Sequence, residues 1–170
     1  RNNEKIGVLT AAYFSDERVI NIKGLKIFNE LASLLPDIPF TVAGETKIQI
    51  DKFINLNPNV NVLGVQTRIQ MKQLYQNNKF YFQGSRLEGL PNSVCEAMLC
   101  GCIPIGSKVF GIPDIIGNTG ILFDNENDLV QVKDFMLSGI GDKDSKEARN
   151  RIISKFDISR RIEKIKENLE

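Results

Sequence analysis

Apolar residues recur along the chain with two alternating spacings. Short apolar runs, typical of buried strands, are followed by segments whose apolar positions lie three or four residues apart, which is typical of amphipathic helices. The predicted strands are Ile6–Thr10, Phe40–Ala43, Val60–Leu63, Phe80–Phe82, Ile103–Ile105 and Gly120–Phe123. A polar loop with Ser15, Asp16 and Glu17 is expected after the first strand.

Helical spacing begins at Lys23 and continues to Leu35, where Pro36 ends it. Further helices are predicted over Lys47–Leu56, Thr67–Gln76, Asn92–Leu99, Ile112–Ile116, Leu129–Met136, Ala148–Ile153 and Ile158–Leu169. Thr67 is a suitable N-cap for the helix Thr67–Gln76, and Gly101 is suited to end the helix Asn92–Leu99. Strands that alternate with helices indicate an α/β domain, a Rossmann-like parallel sheet of about six strands with helices on both faces.

Length and charge narrow the class of protein. The chain has 170 residues, enough for one domain, and its net charge of +1 lacks the basic excess of a nucleic-acid-binding domain. Because histidine is absent, Ser-His-Asp and Cys-His nucleophilic sites and histidine metal sites are excluded. No apolar run reaches the roughly 18 residues of a membrane span, and the polar N-terminus is not a signal peptide.

The three cysteines, Cys95, Cys100 and Cys102, lie close together and are odd in number. This is not the pattern of a disulfide framework, and it favours a reduced, cytoplasmic protein. Gly84–Phe123 differs from the rest of the chain, with 7 of the 13 glycines and only five charged residues in 40. A charge-poor segment between strands is expected to be partly buried, so the few charges in it need a partner or a function.

The start of the helix at Pro91 is the strongest candidate for a binding site. The first turn of a helix has free N–H groups and a partial positive charge, and Gly89 lets the backbone approach a ligand. An anion such as a pyrophosphate fits this arrangement. Alternatively, Asn92 or Ser93 caps the helix and no ligand is needed.

Glu88 and Glu96 lie on either side of that helix start. A carboxylate repels phosphate but accepts hydrogen bonds from sugar hydroxyls, so the pair suggests a ligand with hydroxyls on both sides of a pyrophosphate, as in a nucleotide-sugar. The alternative is structural: Glu96 would compensate the helix dipole, and Glu88 would pair with Arg86.

The spacing of these glutamates resembles a known motif. The run SRLEGLPNSVCEAMLCGCIPIGS, followed by GIPDIIGNTGILF, resembles the E-x7-E signature of the retaining glycosyltransferases with the GT-B fold, the group 1 glycosyl transferases. Lys23-Gly24 resembles the upstream Lys-Gly of that family. The resemblance covers essentially the whole chain and implies residues 1–170 are the C-terminal half of a GT-B fold, its nucleotide-sugar donor-binding domain.

The resemblance also implies roles for individual residues. Glu88 would contact the hydroxyls of the transferred sugar, and Glu96 would hold the ribose. Lys23 would neutralise the diphosphate leaving group, with Glu88 and Lys23 as the catalytic pair. Gly89, Leu90, Pro91 and Asn92 would lie along the sugar and phosphates. The loop after Val62-Leu63-Gly64 would border the base.

Two departures from the family pattern change the expectation. Tyr13 stands where the family has a second cation, and Arg18 is the expected substitute, although a solvated loop arginine explains it equally well. The chain begins where the second half of such enzymes begins, so an N-terminal acceptor domain is expected elsewhere. That domain would bind the acceptor, a glycan or a lipid-linked sugar. A lipid-linked acceptor would bring the full-length enzyme to the inner face of the membrane.

Other functions remain open from the sequence. A sugar-nucleotide epimerase half would share the fold and the ligand, and a non-catalytic nucleotide-binding module would share the site. The glutamate pair alone would also suit a glycosidase, although a helix start between the two carboxylates favours an anion. No cofactor or metal is expected beyond a UDP- or GDP-sugar as substrate, and Asp142-Lys143-Asp144 is interpreted as a charged connection between helices rather than a metal motif.

Overall fold

A computed structural model describes residues 5–44 and 50–156, which form a six-stranded parallel sheet covered by helices. The strands are β1 Val8–Ala11, β2 Phe40–Ala43, β3 Val60–Val62, β4 Phe80–Gln83, β5 Ile103–Ser107 and β6 Ile121–Phe123. Their order is β3-β2-β1-β4-β5-β6, and every neighbouring pair is parallel. The predicted α/β class with about six strands is therefore confirmed.

Seven α-helices connect these strands in the part of the chain that is described. They are α1 Glu17–Ile22, α2 Leu25–Ser33, α3 Arg68–Asn77, α4 Asn92–Leu99, α5 Ile112–Ile116, α6 Leu129–Leu137 and α7 Asp142–Lys155. Single 3-10 turns occupy Ile50–Lys52 and Glu126–Asp128. Thr67 caps α3 in a reciprocal capping box with Gln70, and Gly101, at φ +80°, ends α4, both as expected.

Two hydrophobic clusters show that the helices cover both faces. One packs α1, α2 and α6 against the sheet, and the other packs α3, α4, α5 and α7. The central strand β4 supplies both clusters because its side chains alternate: Phe82 stacks on Phe123 in the first, with ring centroids 5.4 Å apart, and Tyr81 lies in the second. A strand buried on both faces explains why Phe80–Phe82 is a continuous apolar run.

Three predicted elements differ from the structure. The polar loop after β1 contains α1, because the Asp16 carboxylate accepts a hydrogen bond from the Val19 N–H and caps a short helix that buries Ile20. The helix predicted over Lys47–Leu56 is only one 3-10 turn in its described part, and residues 45–49 lie outside the described residues. The helix predicted over Ile158–Leu169 also lies outside them.

The strand order determines where a ligand is expected to bind. The chain moves outward from β1 through β2 to β3, then returns to place β4 on the other side of β1. The connections leaving β1 and β4 therefore diverge to opposite faces of the sheet and open a crevice at the carboxyl ends of these two strands. Open α/β sheets bind ligands at such a switch point.

Candidate functional site

The connections that follow β1 and β4 are held against each other at the switch point. The N–H of Arg86 donates to the carbonyl oxygen of Ile22 at 2.7 Å. Gly24, at φ +73°, passes so close to Gly84 that a Cβ on Gly24 would overlap the Gly84 carbonyl. Glycine is needed at position 24 both for its left-handed backbone and for this close approach.

This contact brings Lys23 to Glu88. The Lys23 ammonium donates to Glu88 Oε2 at 2.7 Å, and the two side chains are 29% and 23% exposed. The Ser85 hydroxyl also donates to Glu88 Oε2, at 3.3 Å. The alternative pairing of Glu88 with Arg86 is not found, because Arg86 forms an exposed ion pair with Glu126. The predicted phosphate cation and the predicted sugar-binding carboxylate thus form a half-buried ion pair.

A chain of buried polar groups anchors this ion pair to α4. The Gln83 side-chain amide donates to Ser85 Oγ at 2.8 Å, and the Ser93 hydroxyl donates to Gln83 Oε1 at 3.4 Å. Ser107, at the end of β5, donates to the Ser85 carbonyl at 2.6 Å. The network fixes the loop after β4, and Glu88 within it, relative to the start of α4.

The first turn of α4 makes no side-chain cap. Pro91 is the N-cap residue, directly before the first helical residue Asn92, and no side chain caps the N–H groups of that turn. Neither Asn92 nor Ser93 takes the capping role, since the Ser93 hydroxyl donates to Gln83 instead. Gly89 is exposed, and a Cβ on it would meet nothing within 4 Å. The helix start and its approach loop are therefore open to a ligand.

Glu96 lies one turn into α4 and is exposed. Its Oε2 accepts a hydrogen bond from the Tyr75 hydroxyl on α3, at 3.3 Å. Tyr75 itself is only 4% exposed, and burial, more than the nearby Tyr81 and Glu96 side chains, raises the pKa of its phenol above the usual value. Tyr75 is therefore a stable hydrogen-bond donor to the carboxylate.

Tyr81 lies beside Tyr75 and is fully buried. Its hydroxyl has the Ser93 side chain and the Ala11 backbone nearby, but it completes no hydrogen bond with the residues that are described. Desolvation is the main cause of its raised pKa. A buried phenol without a partner is uncommon and lies here close to the start of α4.

Arg18 is placed less centrally than expected. It lies on the exposed side of α1, next to the N-cap Asp16. The Val19 N–H is the main cause of the lowered pKa of the Asp16 carboxyl, and the Arg18 charge makes a smaller contribution. Lys23 and Glu88 are in direct contact, whereas Arg18 lies near the start of α1 and Lys23 at its end.

The loop after β3, expected to border a base, has exposed apolar side chains. Val62 and Leu63 are both 37% exposed and Val65 is 69% exposed. The Gly44 N–H donates to the Gly64 carbonyl at 2.8 Å and fastens the loop to the end of β2. Apolar groups held at the carboxyl edge of the sheet suit contact with a flat ring.

A second exposed apolar group, Phe110, borders the loop after β4. Phe110 is 67% exposed and has φ +47°, a conformation that a phenylalanine rarely adopts. The next residue, Gly111, donates its N–H to the carbonyl oxygen of Gly89 at 3.3 Å. The strained backbone of Phe110 therefore lies next to the loop that leads into α4. Backbone strain of this kind is often found at binding sites.

The other sequence features have structural explanations. Asp142 and Asp144 lie in the first turn of α7 rather than in a connection between helices, and Asp144 accepts a hydrogen bond from the Gly141 N–H. Within residues 5–44 and 50–156, no group of three acidic, cysteine or histidine side chains is arranged to hold a metal ion. Cys102 is buried, and burial raises the pKa of its thiol to about 12.

A concavity of about 950 Å³ lies at the other end of the sheet. Its lining includes the residues that precede β1, β4 and β5, so it opens at the amino ends of the strands. Lys5 and Arg149, two of its cations, donate to the Cys100 and Leu99 carbonyls at the end of α4. These cations neutralise a helix C-terminus, and chemistry is expected at the opposite edge.

Sequence reasoning did not identify two parts of the site. The sequence pattern placed Tyr75 only within the predicted helix Thr67–Gln76, and nothing in its spacing indicated that its hydroxyl reaches Glu96. The polar chain through Gln83, Ser85 and Ser93 was also missed. A signal was present in the sequence, because Gln83 directly follows an otherwise apolar strand.

The fold and site define a class of protein: a doubly wound α/β domain with an open helix start, a lysine and two carboxylates at its switch point. Comparison with known sequences identifies the family. The profile of the family described as Glycosyl transferases group 1 matches residues 13–155, and the chain belongs to that family.

One curated relative is the UDP-Gal:alpha-D-GlcNAc-diphosphoundecaprenol alpha-1,3-galactosyltransferase of Escherichia coli. It is 28% identical over 147 residues, which cover 79% of this chain and 37% of the relative. The chain therefore spans little more than a third of that protein.

Solved structures share the fold at low sequence identity. TarM of S. aureus, in a complex that includes UDP, has a TM-score of 0.74 at 20% identity, covering 96% of this chain and 36% of TarM. Anabaena Alr3699/HepE in complex with UDP has a TM-score of 0.78 at 18% identity, covering 98% and 49%. The C-terminal domain of LpcC from Francisella tularensis, a glycosyl transferase group 1 family protein, has a TM-score of 0.69 at 19% identity, covering 89% and 87%.

None of the helices in the described ranges combines the length and the apolar character needed to cross a bilayer.

Proposed function

We propose that this chain is the donor-binding half of a retaining glycosyltransferase and that it binds a UDP-sugar at the switch point between β1 and β4. The observation that carries the proposal is the Lys23–Glu88 ion pair beside the uncapped start of α4. It places one cation and free backbone N–H groups at a single point, which suits a diphosphate. The UDP in the TarM and HepE structures and the UDP-galactose of the E. coli relative support this donor over a GDP-sugar.

The proposed roles follow from the contacts of each group. The diphosphate binds the α4 start and attracts Lys23, whose charge then stabilises the negative charge that develops on the phosphate as the glycosidic bond breaks. Lys23 thereby releases Glu88, whose carboxylate accepts hydrogen bonds from hydroxyls of the transferred sugar. Glu96 accepts hydrogen bonds from the ribose, the base packs on the loop after β3, and Arg18 adds positive charge near the phosphates.

The acceptor belongs to the rest of the proposed enzyme. The E. coli relative acts on a sugar linked to diphosphoundecaprenol, and the region covered is 37% of its length. We propose that a preceding acceptor half binds a glycan or lipid-linked sugar, and that a lipid-linked acceptor brings the full enzyme to the cytoplasmic face of a membrane. No metal ion is needed in this scheme, because Lys23 and the helix start neutralise the diphosphate.

A ligand panel tests the proposal. UDP, GDP and ADP are added to the 170-residue chain, with and without EDTA, and the shift in melting temperature is measured. UDP is expected to stabilise the chain, by about 2.7 kcal/mol at a concentration one hundred times its Kd, equally with and without EDTA. A preference for GDP would correct the donor, and a Kd tenfold weaker in EDTA would contradict metal-free binding.

Two lysine variants provide a matched comparison. Lys23→Met is expected to weaken UDP binding at least tenfold, because it removes the cation that faces the phosphates. Lys26→Met removes an exposed lysine from the next helix, where it faces Glu17 at 3.9 Å, and is expected to change the Kd less than twofold. Equal Kd values for the two variants would overturn the proposed phosphate site.

A further inference from the structure

Tyr75 connects the core of the domain to the candidate ribose site. Its ring packs edge-on against Tyr81, with centroids 5.7 Å apart, and its backbone carbonyl accepts a hydrogen bond from Cys102 Sγ at 3.0 Å. Lys5 also points its ammonium at this carbonyl, at 3.4 Å. Tyr75 is thus held by its backbone and by the packing of its buried ring, and its hydroxyl donates to the exposed Glu96.

Glu96, in contrast, has little to hold it. It is exposed, and among the described residues the Tyr75 hydroxyl is its one hydrogen-bond partner. A free glutamate side chain has several rotatable bonds, and a ligand that binds it must bear the entropy cost of ordering it. A hydrogen bond from a rigid neighbour removes part of that cost before the ligand arrives.

We propose that Tyr75 is a positioning residue for Glu96: its hydroxyl holds Oε2 so that Oε1 faces the ribose hydroxyls of the bound nucleotide. This inference rests on the proposed function, since it assumes that Glu96 binds the ribose. It adds a residue on α3, outside the E-x7-E motif of Glu88 and Glu96, to the groups proposed to bind the donor. Tyr75 touches no ligand itself and acts only through the orientation of the carboxylate.

Tyr81 offers a matched control. It is a tyrosine of the same cluster and packs edge-on against Tyr75, but its buried hydroxyl completes no hydrogen bond within the described part of the chain. Tyr81→Phe therefore removes a hydroxyl from the same place in the core without touching Glu96. Any effect of losing a polar atom from this cluster appears in both variants, and an effect on Glu96 appears only in Tyr75→Phe.

The experiment compares two nucleotides on four proteins by titration calorimetry. UDP and 2′,3′-dideoxy-UDP, which lacks both ribose hydroxyls, are titrated into the unchanged chain, Tyr75→Phe, Tyr81→Phe and Glu96→Gln. Tyr75→Phe is expected to weaken UDP roughly threefold to tenfold, the range of one hydrogen bond, and to leave the dideoxy nucleotide unchanged. Tyr81→Phe is expected to change neither, and thermal melts check that every variant is folded.

The outcomes separate the inference from the proposed function. If Glu96→Gln binds UDP as tightly as the unchanged chain, the ribose role and the inference both fail. If Glu96→Gln weakens UDP but Tyr75→Phe does not, only the positioning role is overturned. If Tyr75→Phe weakens both nucleotides equally, Tyr75 acts on the fold rather than on Glu96, and the inference is again wrong.

Discussion

Glu88 and Glu96 differ in what each carboxylate contacts before any ligand is bound. Glu88 is paired with Lys23 and bonded to Ser85, whereas Glu96 is bonded to Tyr75 alone among the described residues. A hydrogen bond to a charged group contributes roughly 1.5–3 kcal/mol, so each carboxylate can account for a measurable part of donor affinity. Substitution by glutamine keeps the shape and removes the charge.

The two glutamates are predicted to respond differently to the same substitution. Glu96→Gln is expected to weaken UDP and UDP-galactose alike, by about tenfold, since both carry the ribose. Glu88→Gln is expected to leave bare UDP unchanged or slightly tighter, because it frees Lys23, and to remove the extra affinity given by the sugar. Calorimetry checks this, with Glu126→Gln, in an exposed ion pair, as the control. Weaker binding of bare UDP by Glu88→Gln would contradict the assignment.

These residues could be selected as candidates from the sequence, but their contacts could not be predicted. Glu88 and Glu96 are recognisable in the sequence because they are charged residues in a charge-poor, glycine-rich segment. Lys23 is recognisable because it belongs to a family motif. The Lys23–Glu88 pair joins positions 65 apart in the chain, and Tyr75 and Glu96 are 21 apart. Such contacts depend on which strands are neighbours and how helices rotate, and local spacing contains neither.

At the scale of elements, the junction between α1 and α2 positions Lys23, and Gly24 makes that junction possible. The Gly24→Ala substitution is expected to destabilise the chain by more than about 2 kcal/mol, because it adds a clash with the Gly84 backbone to the usual cost of a left-handed alanine. Gly139, at φ +78° with nothing within 4 Å of a Cβ, is the matched control. Gly139→Ala should cost only about 1 kcal/mol.

Urea unfolding of the two variants measures this difference, and a UDP titration of Gly24→Ala is expected to show weaker binding as well. Equal losses of stability would mean that the approach of Gly24 to Gly84 does not hold the two connections together.

Elements with a clear apolar pattern were predictable even where burial is weak, and elements without one were not. All six strands were identified, including β3, which contains Asn61 and exposes Val62. The short helix α1 was missed because only Ile20 in it is buried, and its start depends on a single capping carboxylate at Asp16. The helix predicted over Lys47–Leu56 was wrong in its described part, where apolar residues at helical spacing pack against the core after one 3-10 turn.

At the scale of the whole molecule, alternating strands and helices predicted the parallel sheet and its two covered faces. They did not give the order of the strands, which is decided by long-range packing rather than by any segment. The donor-half assignment stays a prediction.

The chain on its own is predicted to bind a nucleotide-sugar without transferring the sugar. In the proposed scheme this chain supplies groups for the diphosphate, ribose and sugar, and the acceptor site lies elsewhere. Mass spectrometry of UDP-galactose incubated with the chain and a GlcNAc-diphospho-lipid should detect no disaccharide, while the E. coli galactosyltransferase gives product under the same conditions. Transfer by the 170-residue chain would overturn the half-enzyme proposal.

The position of β4 beside β1 has a consequence for the biosynthesis of this domain. During translation β1, β2 and β3 emerge first and are already adjacent in the sheet, so they can pair before the remaining strands exist. The crevice forms only when β4 and α4, which are synthesised later, pack on the other side of β1. This pairing closes a long loop of chain. A nascent chain released before Phe80 would contain half of the sheet and Lys23 without its partner Glu88. Nucleotide could stabilise the domain only after the segment from Glu88 to Glu96 had left the ribosome.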